Sequence, residues 1–278
     1  MNGNLSNGNG ITARELGVFE ILYESLKIYK GYFKLFFPLL LLAYIPINIV
    51  MLFFHSNAGE ILAAVQNDTA NLTAVMPEFR QMVVLFLVRQ VFVCLLVAGF
   101  TYVVLAKYTG RDVTGHSVTD FSFSRWIRIA FTAILFYIII GFSAFFIFPL
   151  IFFYVAFVFH ANIAAVSGMR GFRALALSYT LVSGRFFKRL LYVVLFAVMQ
   201  FGLIYTIAIL LRGFYPAVYG AHTAATGFLT VTLNVIIDIF ASFFVMVQSV
   251  WFVNVLSFMQ KREWLAQQTL NKGANNQN

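Results

Sequence analysis

Long uncharged apolar runs alternate with short basic segments along most of this chain. A helix rises 1.5 Å per residue, so about 20 apolar residues cross the hydrocarbon core of a membrane. The uncharged stretch between Arg128 and Arg170 would be a helix of about 60 Å, so it must turn, and Pro149 near its middle predicts the position. The pattern predicts six spans, near residues 35–54, 82–106, 129–148, 150–166, 190–211 and 227–259.

The composition agrees with this pattern. Hydrophobic residues make up 61% of the chain and charged residues only 10%, against about 25% charged in soluble domains. The net charge of +9 does not indicate nucleic-acid binding, because the basic residues flank the apolar runs. Cys94 is the only cysteine, which excludes an intramolecular disulfide. The sequence therefore predicts an integral membrane protein.

The basic residues predict the orientation of the spans. Sixteen of the nineteen lysines and arginines fall in four clusters that six crossings would place on one side of the membrane. Only Arg80 and Arg212 fall on the other side, and Arg89 lies inside a span. Positively charged loops stay in the cytoplasm, so we expect both termini to be cytoplasmic.

Two amphipathic segments accompany the spans. Residues 12–30 place apolar and charged side chains on opposite faces, and Thr12 with Glu15 would form a capping box. A second segment follows the fourth span, with apolar residues at helical spacing from Phe172 and a predicted end at Gly184. We predict an all-α fold of six transmembrane helices and two interfacial helices. One transmembrane domain, residues 12–262, lies between a disordered tail, residues 1–11, and a cytoplasmic tail, residues 263–278, whose last residues from Lys272 are also expected to be disordered.

The two amphipathic segments resemble each other. The matched positions, with identical spacing, are Leu22, Ser25, Gly31 and Phe33 against Leu175, Ser178, Gly184 and Phe186. This indicates repeated units at residues 11–108 and 169–262, around a hairpin at residues 126–167. Both units start on the same side, so the repeat would be parallel. The alternative is that any interfacial helix ending at glycine before an aromatic residue would look similar.

The two amphipathic segments also resemble those of a known family. The motifs are Phe19-Glu-Ile-Leu22 with Ser25, Tyr29, Gly31 and Phe33, and Gly171-Phe-Arg-Ala-Leu175 with Ser178, Leu181 and Gly184. They resemble the membrane domain of bacterial glycerophosphoryl diester phosphodiesterase-like proteins and related six-helix inner-membrane proteins. The resemblance implies a bacterial plasma-membrane protein without a settled activity. The chain shows no acidic-His cluster of the phosphodiesterase type, so that activity is not implied.

Two charges inside the spans are the main candidates for function. Arg89 and Asp238 lie at comparable predicted depths, and a charge at the bilayer centre costs at least about 2.5 to 3.5 kcal/mol. The predicted intramembrane polar site consists of Arg89, Gln90, Thr230, Asn234, Asp238 and Ser242, the last four at a spacing of four residues. This stripe would line a polar path, or it would be a buried ion pair with smaller groups bonding between helices.

Other polar residues predict surface contacts rather than chemistry. We expect lipid headgroups to contact Arg170, Arg173, Arg185, Lys188 and Arg189. Asp112, His116 and Asp120 would share a helix face, but Thr114 and Gly115 favour a solvated loop. No zinc-binding helix motif, nucleotide-binding glycine loop or nucleophile–base arrangement is present, so no catalytic residue, metal or cofactor is predicted.

Three functions follow from these features. The first is a non-enzymatic protein that handles a lipid, an amphiphile or a small solute through a polar centre between spans two and six. The alternative is a membrane scaffold or assembly partner whose intramembrane charges are only structural. An intramembrane enzyme is disfavoured. In the first two cases the partners would include anionic membrane lipids, and an unknown small molecule or protein.

Overall fold

The computed structural model describes residues 15–53, 72–211 and 224–275, and within these ranges the regular structure is entirely helical. The helices are α1 Val18–Phe53, α2 Leu72–Tyr108, α3 Gly115–Ser143, α4 Ile147–Ala156, α5 His160–Ser167, α6 Phe172–Ser183, α7 Phe186–Leu211 and α8 Ala224–Asn275. Six candidate spans in the described ranges are long and apolar enough to cross a membrane. The all-α prediction is confirmed, and the chain is a multi-pass membrane protein.

The turn between the third and fourth spans is not at Pro149. The third span is Gly115–Ser143 and the fourth is Ile147–Ser167, so the chain turns at residues 144–146. Pro149 lies in the first turn of α4. That position suits proline, because the first amides of a helix have no partner within the helix.

The fourth span is itself interrupted, which the sequence analysis did not predict. The helix α4 ends at Ala156, residues 157–159 form turns, and α5 begins at His160. An interruption at membrane depth is tolerated only where the freed backbone groups are satisfied by neighbouring protein or water.

The first amphipathic segment is continuous with the first span, as the single helix α1. Tyr29 and Asn48 of α1 reach Ser242 and Asp238, which are one turn apart on α8. Pro38 and Pro46 lie inside this helix, where a proline removes one backbone hydrogen bond of the helix.

The helices α2 and α8 form the centre of the bundle and run in the same direction. Arg89 pairs with Asp238 at one level, and Thr101 contacts Ser249 about 18 Å further along. The helix α1 packs against both, and α3 packs along α2. The shared direction of α2 and α8 is what a parallel repeat requires, although α1 is one helix where the second unit has α6 and α7. The repeat stays a prediction.

The helix α7 lies at the periphery. Only 6% of its most apolar stretch is buried inside the protein. Its main contacts are with α8 and α4. Most of its surface is therefore not covered by the other helices.

The last helix is longer than predicted. Disorder was expected from Lys272, but α8 extends through residues 263–271 to Asn275. Glutamine, alanine, leucine and lysine in this stretch favour helix, which explains the extension. Thr12 and the predicted tail at residues 1–11 lie outside the described residues.

Candidate functional site

The polar centre joins three helices through one carboxylate. Arg89 Nη2 on α2 donates to Asp238 Oδ1 on α8. Asn48 Nδ2 on α1 donates to Asp238 Oδ2 at 2.8 Å and also contacts the Tyr44 carbonyl at 2.9 Å. The Asp238 side chain is only 6% exposed and that of Arg89 is 35% exposed. Both carboxylate oxygens thus have a donor, as a buried carboxylate requires.

The other members of the predicted stripe do not join this centre. The Ser242 hydroxyl donates to the Ile239 carbonyl at 2.6 Å and lies 2.9 Å from the Tyr29 hydroxyl. Gln90 Oε1 instead accepts a hydrogen bond from the Tyr137 hydroxyl on α3 at 2.9 Å. The remaining predicted members are half-buried towards the beginning of α8: Thr230 and Asn234.

Asn48 is the member that the sequence analysis missed. It is the one amide in the apolar run from Leu35 to Phe53, and that isolation was the available signal. Its 5% exposure shows that it faces the bundle rather than lipid. The Asn48 amide donates to Asp238 Oδ2, the carboxylate oxygen that Arg89 does not reach.

A second polar cluster lies further along the same helices. Asn162 Nδ2 on α5 donates to Thr101 Oγ1 at 2.9 Å and to Ser249 Oγ at 3.2 Å. All three side chains are buried. This cluster ties the second half of the interrupted span to α2 and α8.

The interruption itself is sealed by side chains from other helices. Ser178 Oγ on α6 donates to the Ala156 carbonyl at 3.0 Å and accepts the Phe159 amide at 3.2 Å. Gln248 Nε2 on α8 donates to the Val158 carbonyl at 2.5 Å. Backbone groups freed between α4 and α5 therefore have partners without water.

A lateral groove of about 600 Å³ lies between α1, α7 and α8. Its lining residues are Leu26, Tyr29, Lys30, Phe33, Leu203, Ile239, Phe240 and Phe243. The Tyr29 hydroxyl, the one other polar group of the lining side chains, donates to the Ile239 carbonyl at 2.9 Å. The groove is therefore almost wholly apolar, with Lys30 as its charged residue.

Lys30 belongs to an exposed basic face of α1. Lys27, Lys30 and Lys34 are all exposed and are spaced three and four residues apart, which places them on one side of the helix. We call these three residues the lysine face. It borders the groove at Lys30.

Comparison with known proteins does not identify this site. No protein-family model, curated protein or solved structure matches the chain. The resemblance to phosphodiesterase-associated membrane domains stays a prediction.

The start of α7 is tied to the chain preceding α1 by one acidic residue. The Glu15 carboxylate receives hydrogen bonds from Arg185 at 2.7 Å, from Lys188 at 2.9 Å and from Arg189. Arg189 is 1% exposed, so its predicted contact with lipid headgroups is wrong: the guanidinium is enclosed with Glu15. The other two side chains remain partly exposed while they hold Glu15.

The expected loop at residues 115–120 is helical. Thr114 and Ser117 form a capping box that starts α3 at Gly115. His116 Nδ1 and Asp120 Oδ2 lie 2.7 Å apart, and both side chains are exposed. Asp112 precedes the helix, and no set of three metal-binding side chains occurs among the residues that the structure describes.

Proposed function

We propose that this protein binds a membrane amphiphile, with one acyl chain of an anionic lipid in the lateral groove between α1, α7 and α8. The groove itself is the observation that carries the proposal. Its volume of about 600 Å³ falls within the usual range of ligand sites. Because the groove opens on the side of a transmembrane protein, lipid acyl chains are the first molecules that can enter it.

The charge beside the groove selects the headgroup. The lysine face is exposed at the side where α1 lines the groove, so an acyl chain in the groove would carry its headgroup towards these cations. Each lysine or arginine near a membrane surface contributes about 1 kcal/mol of attraction to anionic lipid. The proposed ligand is therefore an anionic rather than a zwitterionic amphiphile.

In this proposal the polar centre holds the groove wall in place and does not form a path for a solute. Ile239, Phe240 and Phe243 of the groove wall follow Asp238 on α8, and Asp238 is fixed by α1 and α2. Tyr29 is a wall residue that is bonded to the same helix. In this proposal the Arg89–Asp238–Asn48 set holds the wall in place, and no solute passes through it.

A second candidate is the scaffold role, and the full set of hydrogen bonds at Asp238 favours it. Both oxygens of Asp238 are engaged within the bundle, as expected of a purely structural group. In either role we propose a non-enzymatic protein of the bacterial plasma membrane with cytoplasmic termini. The support is the distribution of basic residues and the family resemblance.

Photocrosslinking tests the groove. The full-length protein is reconstituted with an anionic phospholipid bearing a diazirine on one acyl chain, and labelled peptides are mapped by mass spectrometry. We expect labelling to concentrate at Leu26, Phe33 and Phe240. Leu203→Trp should fill the groove and reduce this labelling at least about fivefold, as a loss of about 1 kcal/mol would.

The matched control is Leu210→Trp, which changes a 71% exposed leucine on the same helix. Labelling spread evenly over the exposed faces of all helices, or equally reduced by both variants, would contradict the proposal and leave the scaffold role. Replacing the lysine face by glutamine should weaken labelling by the anionic probe and leave a phosphatidylcholine probe unchanged.

A further inference from the structure

Two arginines of α3 converge on the glycine that ends the fourth span. A methyl group placed on Gly168 would lie 3.3 Å from Arg125 Nη1 and 3.2 Å from Arg128 Nη1. The two guanidinium groups therefore share one small volume beside this glycine. Like charges in such proximity repel each other, so the arrangement favours an anion between them.

The loop that presents Gly168 is shaped by glycines and fixed to α3. Gly168 has φ of 71° and Gly171 has φ of 61°, which are left-handed values that other residues rarely adopt. The Gly171 amide donates to Thr132 Oγ1 on α3 at 2.9 Å. The two glycine conformations and the Gly171–Thr132 hydrogen bond thus fix the loop against α3.

Two further arginines stand on this loop and the helix after it. Arg170 lies between the two glycines, Arg173 lies in the first turn of α6, and both are exposed. The residues Arg125, Arg128, Arg170 and Arg173 are called the arginine site. Within the described part of the chain no carboxylate forms an ion pair with any of them, in contrast to the three cations that surround Glu15.

We propose that the arginine site binds a phosphate group. A guanidinium fork donates two parallel hydrogen bonds to phosphate oxygens, and paired forks recognise a doubly charged phosphate better than a carboxylate. The phosphate belongs to a lipid headgroup or to a soluble phosphate compound. This site is separate from the lysine face, so the inference does not depend on the acyl groove.

Binding to charge-neutralised variants tests the arginine site. The purified full-length protein, in a neutral detergent, is titrated with dioctanoyl phosphatidic acid as the lipid probe and with inorganic pyrophosphate as the soluble probe. We expect Arg125→Gln/Arg128→Gln to weaken binding of at least one probe about tenfold or more. Arg80→Gln/Arg111→Gln removes the same charge from two exposed positions and should leave binding unchanged within about twofold.

Each result decides the proposal. Selective loss of phosphatidic acid binding identifies a lipid phosphate, and loss of pyrophosphate binding identifies a soluble phosphate compound. Equal effects of the two double variants, or no binding of either probe by the wild-type protein, would overturn the site. If the arginine variant does not fold, modification of wild-type Arg125 and Arg128 by phenylglyoxal supplies the answer: either probe should slow it at least about fivefold relative to Arg111, and equal rates would refute the inference.

Discussion

At the scale of single residues, the polar centre shows how a membrane interior accommodates two charges. Asp238 is almost completely buried, and Arg89 and Asn48 satisfy its two oxygens. A buried pair of this kind adds little stability compared with an apolar pair, but removal of one partner leaves an uncompensated charge. The contribution of the Arg89–Asp238 pair to stability is therefore best measured by comparing single and double substitutions.

Arg89→Gln should lower the free energy of unfolding by about 3 kcal/mol, because it leaves the Asp238 carboxylate buried without a cation. The double variant Arg89→Gln/Asp238→Asn should recover most of that loss, since neither remaining group is charged. Unfolding in mixed detergent micelles measures both. Arg80→Gln, at an exposed arginine on the same helix, is the control and should change little. A double variant as unstable as the sum of its single variants would show that the two residues act independently.

At the scale of helices, the sequence determines which segments cross the membrane but not how each crossing is shaped. The lengths of the apolar runs, with Pro149 as the predicted break in the longest run, identified the six spans, because about 20 apolar residues are required for each. It could not place the turn before Pro149 or the interruption after Ala156, since both depend on where backbone groups find partners. Ser178 and Gln248, which seal the interruption, are distant in sequence from it. Likewise, the sequence predicted Arg189 to be a surface cation, but the structure encloses it with Glu15.

Ser178→Ala tests the sealing of the interruption. The change removes the donor to the Ala156 carbonyl and the acceptor of the Phe159 amide, so we expect a loss of about 1 to 3 kcal/mol. Hydrogen exchange should become faster at residues 157–160 before it changes in α2. Thr180→Ala, at an exposed position of the same helix, serves as the control. Unchanged exchange at the Phe159 amide would show that this amide has another partner.

At the scale of the whole molecule, three sets of cations occupy different environments. Three surround the buried Glu15 carboxylate and fix the start of α7, three form the lysine face beside the groove, and four form the arginine site. The positive-inside rule counts all of them alike. The fold separates them by supplying an acidic partner to the first set only, within the described residues. Two of the three sets therefore have no acidic partner within the described residues, and we propose that these two bind anions.

The orientation can be tested by labelling introduced cysteines without removing the natural one, because Cys94 is 3% exposed and should not react. We expect Thr180→Cys, on the exposed side of α6, to react with a membrane-impermeant maleimide only after cells are permeabilised. Arg80→Cys should react in intact cells, since the rule places Arg80 on the opposite side, and loss of this cation strengthens the charge asymmetry that orients the spans. Neither substitution removes a cation from the basic clusters. The reverse labelling pattern would invert the topology and place the lysine face and the arginine site against the outer leaflet, where cytoplasmic anionic lipids could not reach them.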